Sequence, residues 1–115
     1  MTSDRELLEL AAKAAGYDVH YDELDDVFYF DNEAMVSFFK WNPLTDDGDA
    51  LRLAVKLGMD VYVDNHPDGC ACTEAKSITY GVGDPHILVD HEQDPYAATR
   101  RAITRAAAEI ARSME

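Results

Sequence analysis

Hydrophobic positions recur with a helical period at three places along the chain. The first is Leu7, Leu8, Ala11, Ala14 and Ala15, which predicts a helix over about Asp4–Ala15. Ser3 supplies the N-cap, Glu6 the matching capping-box acid, and Gly16 a left-handed stop. The second is Ala50, Leu51, Ala54, Val55 and Leu57, a stripe that starts near Asp46 with Thr45 or Asp46 as cap and ends at Gly58. The third follows Asp94-Pro95, a cap with proline at the first helical position. Its stripe is Ala102, Ile103, Ala106, Ala107 and Ile110, it runs to about Ser113, and so many alanines predict close approach to the layer beneath.

Between these helices the period drops to two. Tyr17 to Asp26 is polar and acidic and reads as a loop or a frayed strand. Val27-Phe28-Tyr29-Phe30 and Met35-Val36-Ser37-Phe38-Phe39 have strand chemistry, with Asp31-Asn32-Glu33 a turn that makes them a hairpin; the second segment also suits a short helix. Trp41-Asn42-Pro43-Leu44 interrupts the pattern, since Pro43 lacks a donor and holds Asn42 extended. Met59 to Asn65 alternates, with Val61 and Val63 on one side and Tyr62 and Asp64 on the other. His66-Pro67-Asp68-Gly69 is a turn. A strand over Cys70 to Tyr80, best defined at Ser77–Tyr80, leads through Gly81–Pro85 to a third strand at His86–Asp90. The expected architecture is α+β: a mainly antiparallel sheet of three to five strands with helices packed on it, in the order helix, strands, helix, three-strand meander, helix. From Thr45 onward this order also matches a double-stranded-RNA-binding domain, a module that needs a basic face of which only the last helix has any trace.

Length and composition narrow the class. One domain spans 1–115, and a chain of 115 residues buries roughly 65% of its unfolded surface, enough for a core without staples. The apolar share of 47% argues against disorder despite a formal charge of −13. No apolar run is long enough to span a membrane, and Met1–Arg5 lacks the basic start of a signal peptide. Cys70 and Cys72, one residue apart, cannot staple a secreted scaffold, so the cytoplasm is the expected location. The charge is unevenly spread. Seven acids and no Lys or Arg lie between Asp18 and Glu33, a second group is Asp46, Asp47 and Asp49, and Arg100, Arg101, Arg105 and Arg112 make the last helix basic. Such a body repels nucleic-acid phosphate and anionic membranes and attracts basic partners.

Four constellations invite a chemical reading. His66, Cys70 and Cys72 offer three soft ligands where zinc wants four, at a spacing unlike the usual zinc pattern; two small core cysteines are the simpler account. Asp46-Asp47-Gly48-Asp49 does not fit a calcium loop and reads as helix capping. His86 and His91 flank a strand with no nucleophile beside them and read as surface histidines. A small metal-dependent enzyme would need His66, Cys70, Cys72, His86 and His91 to converge; no nucleotide, hydrolase or metalloprotease motif is present, and no cofactor is expected. The acid run interleaves with aromatics, so Tyr21, Asp22, Glu23, Asp25, Asp26 and Tyr29 are the candidate partner-binding residues.

One stretch, Trp41-Asn42-Pro43-Leu44-Thr45-Asp46-Asp47-Gly48-Asp49-Ala50-Leu51-Arg52-Leu53-Ala54-Val55-Lys56-Leu57-Gly58, resembles a signature of small phage and prophage proteins of the phage ABA sandwich domain family. Arg5–Gly16 is similar to that family's opening and Tyr96–Glu109 to its close; segments 17–40 and 60–92 carry no match. The resemblance implies a helix–sheet–helix sandwich in a bacterial virus or its host's prophage, and it brings no catalytic residues. The function expected is therefore that of a phage accessory protein, working through protein contacts in the bacterial host cell, singly or as a homo-oligomer. The competing expectation is an acidic nucleic-acid mimic that blocks a host nucleic-acid-binding defence protein.

Overall fold

The structure is a computed structural model that describes residues 3–30, 40–64, 72–77 and 86–114. Among the described residues, three helices and six strands follow the order α1 (Asp4–Ala15), β1 (Val19–Asp22), β2 (Val27–Phe30), β3 (Lys40–Trp41), α2 (Asp47–Leu57), β4 (Met59–Asp64), β5 (Cys72–Ser77), β6 (His86–Asp90) and α3 (Pro95–Ser113). The α+β class is as expected, and the strands divide into two antiparallel three-stranded sheets, β1-β2-β3 and β4-β5-β6.

The helices begin and end where local chemistry demands. Ser3 accepts from the Glu6 N–H, Asp46 from the Asp49 N–H, and Asp94 from the N–H groups of Tyr96 and Ala97. Gly16 (φ 74°) and Gly58 (φ 62°) close α1 and α2 in the left-handed region, where their N–H groups reach back to the last turn's carbonyls. Alanine governs the packing of α3. Ala102, Ala106, Ala107, Ala108 and Ala111 are fully buried, because α3 packs on α1, on α2 and on the inner face of β5 and β6. A longer side chain at these positions would hold those layers apart.

Three local expectations are corrected. The Tyr17–Asp26 segment holds a regular strand: Val19 pairs with Phe30 and Asp22 with Val27. Through the tight turn Glu23–Asp26 it forms a hairpin with Val27–Phe30, whose other edge pairs with β3. Residues 31–39, including the anticipated Met35–Phe39 strand, lie outside the described residues. Trp41 does not break the pattern but ends it, pairing with Phe28 as part of β3. Its indole is buried edge-on against Tyr17, Phe28 and Phe30, with ring centroids 6.0–6.5 Å away. In this way the first sheet joins the core shared by Leu8, Leu53, Leu57, Ile103 and Ile110.

The third correction concerns α2. Its buried face is Ala50, Leu53, Ala54 and Leu57, while Leu51 and Val55 are 64% and 72% exposed. The helix is apolar over a wider arc than the core covers.

Candidate functional site

The acids of the first hairpin are engaged in holding its own turn. The Asp22 carboxylate accepts from the Leu24 N–H at 2.9 Å and the Asp25 N–H at 3.4 Å, an Asx-type turn that lets Asp26 adopt φ 54°. Tyr21 donates its hydroxyl proton to Asp26 and Tyr29 donates to Asp25 at 3.3 Å. The hydrogen bond to Asp26 pushes the Tyr21 hydroxyl above its usual pKa, while burial chiefly, with the Asp25 charge second, raises that of Tyr29. From α1, Arg5 lays its guanidinium 3.9 Å from the centre of the Tyr21 ring. Of the six candidate partner residues, five therefore have structural duties within the hairpin. Glu23 stands exposed beside Leu24, the tip residue, which is 97% exposed.

The second acid group behaves as helix chemistry predicts. Asp46 caps α2. Asp49, buried, accepts from the Asn42 N–H at 2.9 Å and from Arg52 at 2.7 Å, and that hydrogen bond raises the Arg52 pKa further. Asp47 pairs with Arg100 at 2.7 Å, and Arg100 also donates to the Leu44 carbonyl at 2.8 Å. Arg101 reaches Asp4 at 3.2 Å, and Arg112 bonds Glu109. Of the arginines expected to make the last helix basic, Arg100 and Arg101 thus brace α2 and α1.

Of the three candidate metal ligands, His66 and Cys70 lie outside the described residues. Cys72 is half-buried. The pleat of β5 turns Thr73 and Ala75 inward, so Cys72 takes the opposite face and is no core cysteine. Among the described residues, no three His, Cys, Asp or Glu side chains gather closely enough to hold a metal ion. His86 is placed only by its backbone, opposite Lys76.

His91 is not the surface histidine its position suggests: it is only 4% exposed. Its Nε2 lies 2.8 Å from Thr73 Oγ1, which is 2.8 Å from Thr99 Oγ1, which in turn donates to the Pro95 carbonyl at 2.8 Å. A carbonyl only accepts, so the one Thr99 proton is committed to Pro95. Thr73 must then donate to Thr99, and His91 must donate from Nε2 to Thr73. This chain ties the strand β5 to the first turn of α3 and fixes the imidazole tautomer. Of this chain, His91 lines an open cleft of about 800 Å³ whose other walls include Asp90, Glu92 and Arg101. Sequence reasoning missed it because Thr73 and Thr99 stand far from His91 in the chain and carry no motif.

A more apolar concavity lies on the other flank of α3. Leu51 of α2, Val61 and Val63 of β4, and Tyr96 and Ile103 of α3 line a groove of about 360 Å³, with the Asp47–Arg100 pair at its edge. Leu51, Val63 and Tyr96 are three of the large exposed hydrophobic side chains, and Val55 continues the row one turn along α2. The groove brings together side chains of three elements, and no candidate site residue read from the sequence belongs to it. A trace of it was visible in Leu51 and Val55, which widen the apolar arc of α2 beyond one face.

No protein-family model, curated protein or solved structure matches this chain. No described helix is long and apolar enough to cross a membrane.

Proposed function

We propose that this protein is an accessory protein of a phage or prophage that works by binding another protein, with the α2–β4–α3 groove as its contact surface. The observation that carries this reading is the convergence of Leu51 and Tyr96, both largely in water, and the partly exposed Val63 on one apolar concavity. Large apolar side chains clustered around a groove mark interaction sites, whereas scattered ones do not. The net charge of −13 favours a partner that surrounds its apolar anchor with lysine or arginine. The phage origin rests on the resemblance of Trp41–Gly58 and the two terminal helices. The test compares wild type with a Leu51→Asp, Val55→Asp double variant in host lysate, identifying captured proteins by mass spectrometry. A partner with a basic, apolar contact segment that is retained by wild type and lost by the variant supports the groove; equal capture by both refutes it.

The acidic-mimic reading retains one specific support, the Glu23-Leu24 tip held out on a braced turn. Neutralising Asp22, Asp25 and Asp26 would disturb the turn itself, so the discriminating variants are Glu23→Gln and Asp18→Asn, both at exposed positions. Loss of partner capture in that pair, with the groove variant still competent, would transfer the function to the hairpin.

A further inference from the structure

The fold uses only one ring nitrogen of His91. Nε2 donates to Thr73, which makes Nδ1 the unprotonated nitrogen of the neutral imidazole, an acceptor. Among the described residues no hydrogen-bond donor meets Nδ1, and no side-chain nitrogen or oxygen sealed from water goes without a partner. Nδ1 is therefore the point at which a side chain only 4% exposed opens outward, and the space it meets is the cleft that His91 lines.

Its neighbours on the cleft wall are acceptors too. Asp90 and Glu92 flank His91 in sequence, are exposed, and line the same cleft. The other charged groups described there are occupied. Asp94 accepts from the first-turn N–H groups of α3, and Arg101 reaches Asp4 at 3.2 Å. What remains is one imidazole nitrogen and two carboxylates, a set that accepts hydrogen bonds and carries negative charge but offers no proton. A ligand that matches it brings donors and a positive charge. Asp90, His91 and Glu92 do not gather closely enough to hold a metal ion, which leaves an organic cation. Val89, Ala97 and Ala98 add an apolar wall that suits a short alkyl stem.

We infer that this cleft binds a primary alkylammonium group, which donates to Nδ1 of His91 while the Asp90 and Glu92 carboxylates balance its charge. The site lies across α3 from the groove and does not depend on the groove reading. His91 is its selective element. An acidic surface attracts any cation, whereas a nearly buried acceptor favours one that also donates; a quaternary ammonium of the same charge would leave Nδ1 unmet. The hydrogen bonds through Thr73 and Thr99 to the Pro95 carbonyl hold the ring in place beforehand, so little order is lost on binding. A free small amine and a lysine side chain of another protein share this chemistry.

The test is nitrogen NMR of the imidazoles at about pH 8, where butylamine is protonated, with His91 assigned by the signals missing from His91→Gln. Butylammonium should move the Nδ1 resonance saturably with a Kd of about 1 mM, the weak affinity proper to so small a ligand. Tetramethylammonium should move it at most about a tenth as far. In His91→Gln the amide still offers Thr73 a donor, but nothing replaces Nδ1. Its affinity for butylammonium, read from backbone amide shifts around the cleft, should fall at least about tenfold. Asp90→Asn together with Glu92→Gln, at exposed positions, should lower the affinity by about tenfold with the urea midpoint unchanged, which covers the case of a His91 variant that does not fold. No movement of Nδ1 at about 0.1 M butylammonium, equal movement by tetramethylammonium, or undiminished affinity in the Asp90, Glu92 variant each overturns the proposal. So does undiminished affinity in a folded His91→Gln. Given binding, Nα-acetyl-lysine methylamide at least about tenfold tighter than butylammonium assigns the group to a partner's lysine, and equal or weaker binding assigns it to a free amine.

Discussion

The first hairpin and the α2–β4–α3 groove differ in what they leave unused. The hairpin carries most of the conspicuous charge, yet Asp22, Asp25 and Asp26 accept hydrogen bonds from their own turn and its tyrosines. The groove carries little charge, and its Asp47 and Arg100 neutralise each other, yet Leu51 and Tyr96 remain in water. A polar side chain is readily satisfied by a neighbour a few residues away, so local structure consumes it. An apolar side chain is satisfied only by being covered, and at the groove nothing described covers it. Unmet burial is therefore a better pointer to a partner surface here than density of charge.

The comparison is tested most severely at its common anchor. Trp41→Ala should destabilise the fold by about 4 kcal/mol in urea unfolding, since it empties the aromatic cluster that joins the hairpin to the helices. A loss below about 1 kcal/mol would mean that the first sheet is energetically independent of the rest. Next in size, Asp49→Ala should cost about 2 kcal/mol, because it leaves the Asn42 N–H without its acceptor and Arg52 without its close partner. Thr73→Val should cost about 1.5 kcal/mol by stranding the His91 Nε2 proton. Nitrogen-detected NMR of the imidazole should show the Nε2–H tautomer in wild type and a mixture in that variant.

The groove should behave in the opposite way. Leu51→Asp and Val55→Asp should each change stability by no more than about 0.5 kcal/mol, because neither position is in the core. A loss of several kcal/mol would show that the groove is covered by the protein's own chain in solution. The smallest effect concerns the tyrosines. Their folded pKa values are raised, so the stability they add is complete below the unfolded tyrosine pKa of about 10 and is lost as pH rises through the higher folded values. Circular dichroism should show wild type weakening above about pH 10, and Tyr21→Phe together with Tyr29→Phe should flatten that decline. A decline beginning below pH 9 would contradict the arrangement of the hairpin.

What the sequence disclosed follows from how local each determinant is. The caps at Ser3, Asp46 and Asp94 and the stops at Gly16 and Gly58 act within four residues, and all three helices were placed within a residue of their observed limits. Strand β1 was obscured because Asp18, His20 and Asp22 look like loop chemistry, although Val19 and Tyr21 already alternate with them. Burial of His91 depends on Thr73, 18 residues before it, and no local pattern encodes such a pairing. The groove was invisible because a helical stripe shows which positions are apolar but not how wide a face the tertiary structure covers.

Helix α1 packs chiefly on α3, and their salt bridge joins Asp4 to Arg101 across 97 residues of sequence. A contact of that span closes late, after the loop-closure entropy of nearly the whole chain has been met. During synthesis the Leu7–Leu8 face of α1 is made before α3 and waits for it. The core thus cannot close before α3 has been made, and until then the growing chain exposes its first helix and its aromatic hairpin.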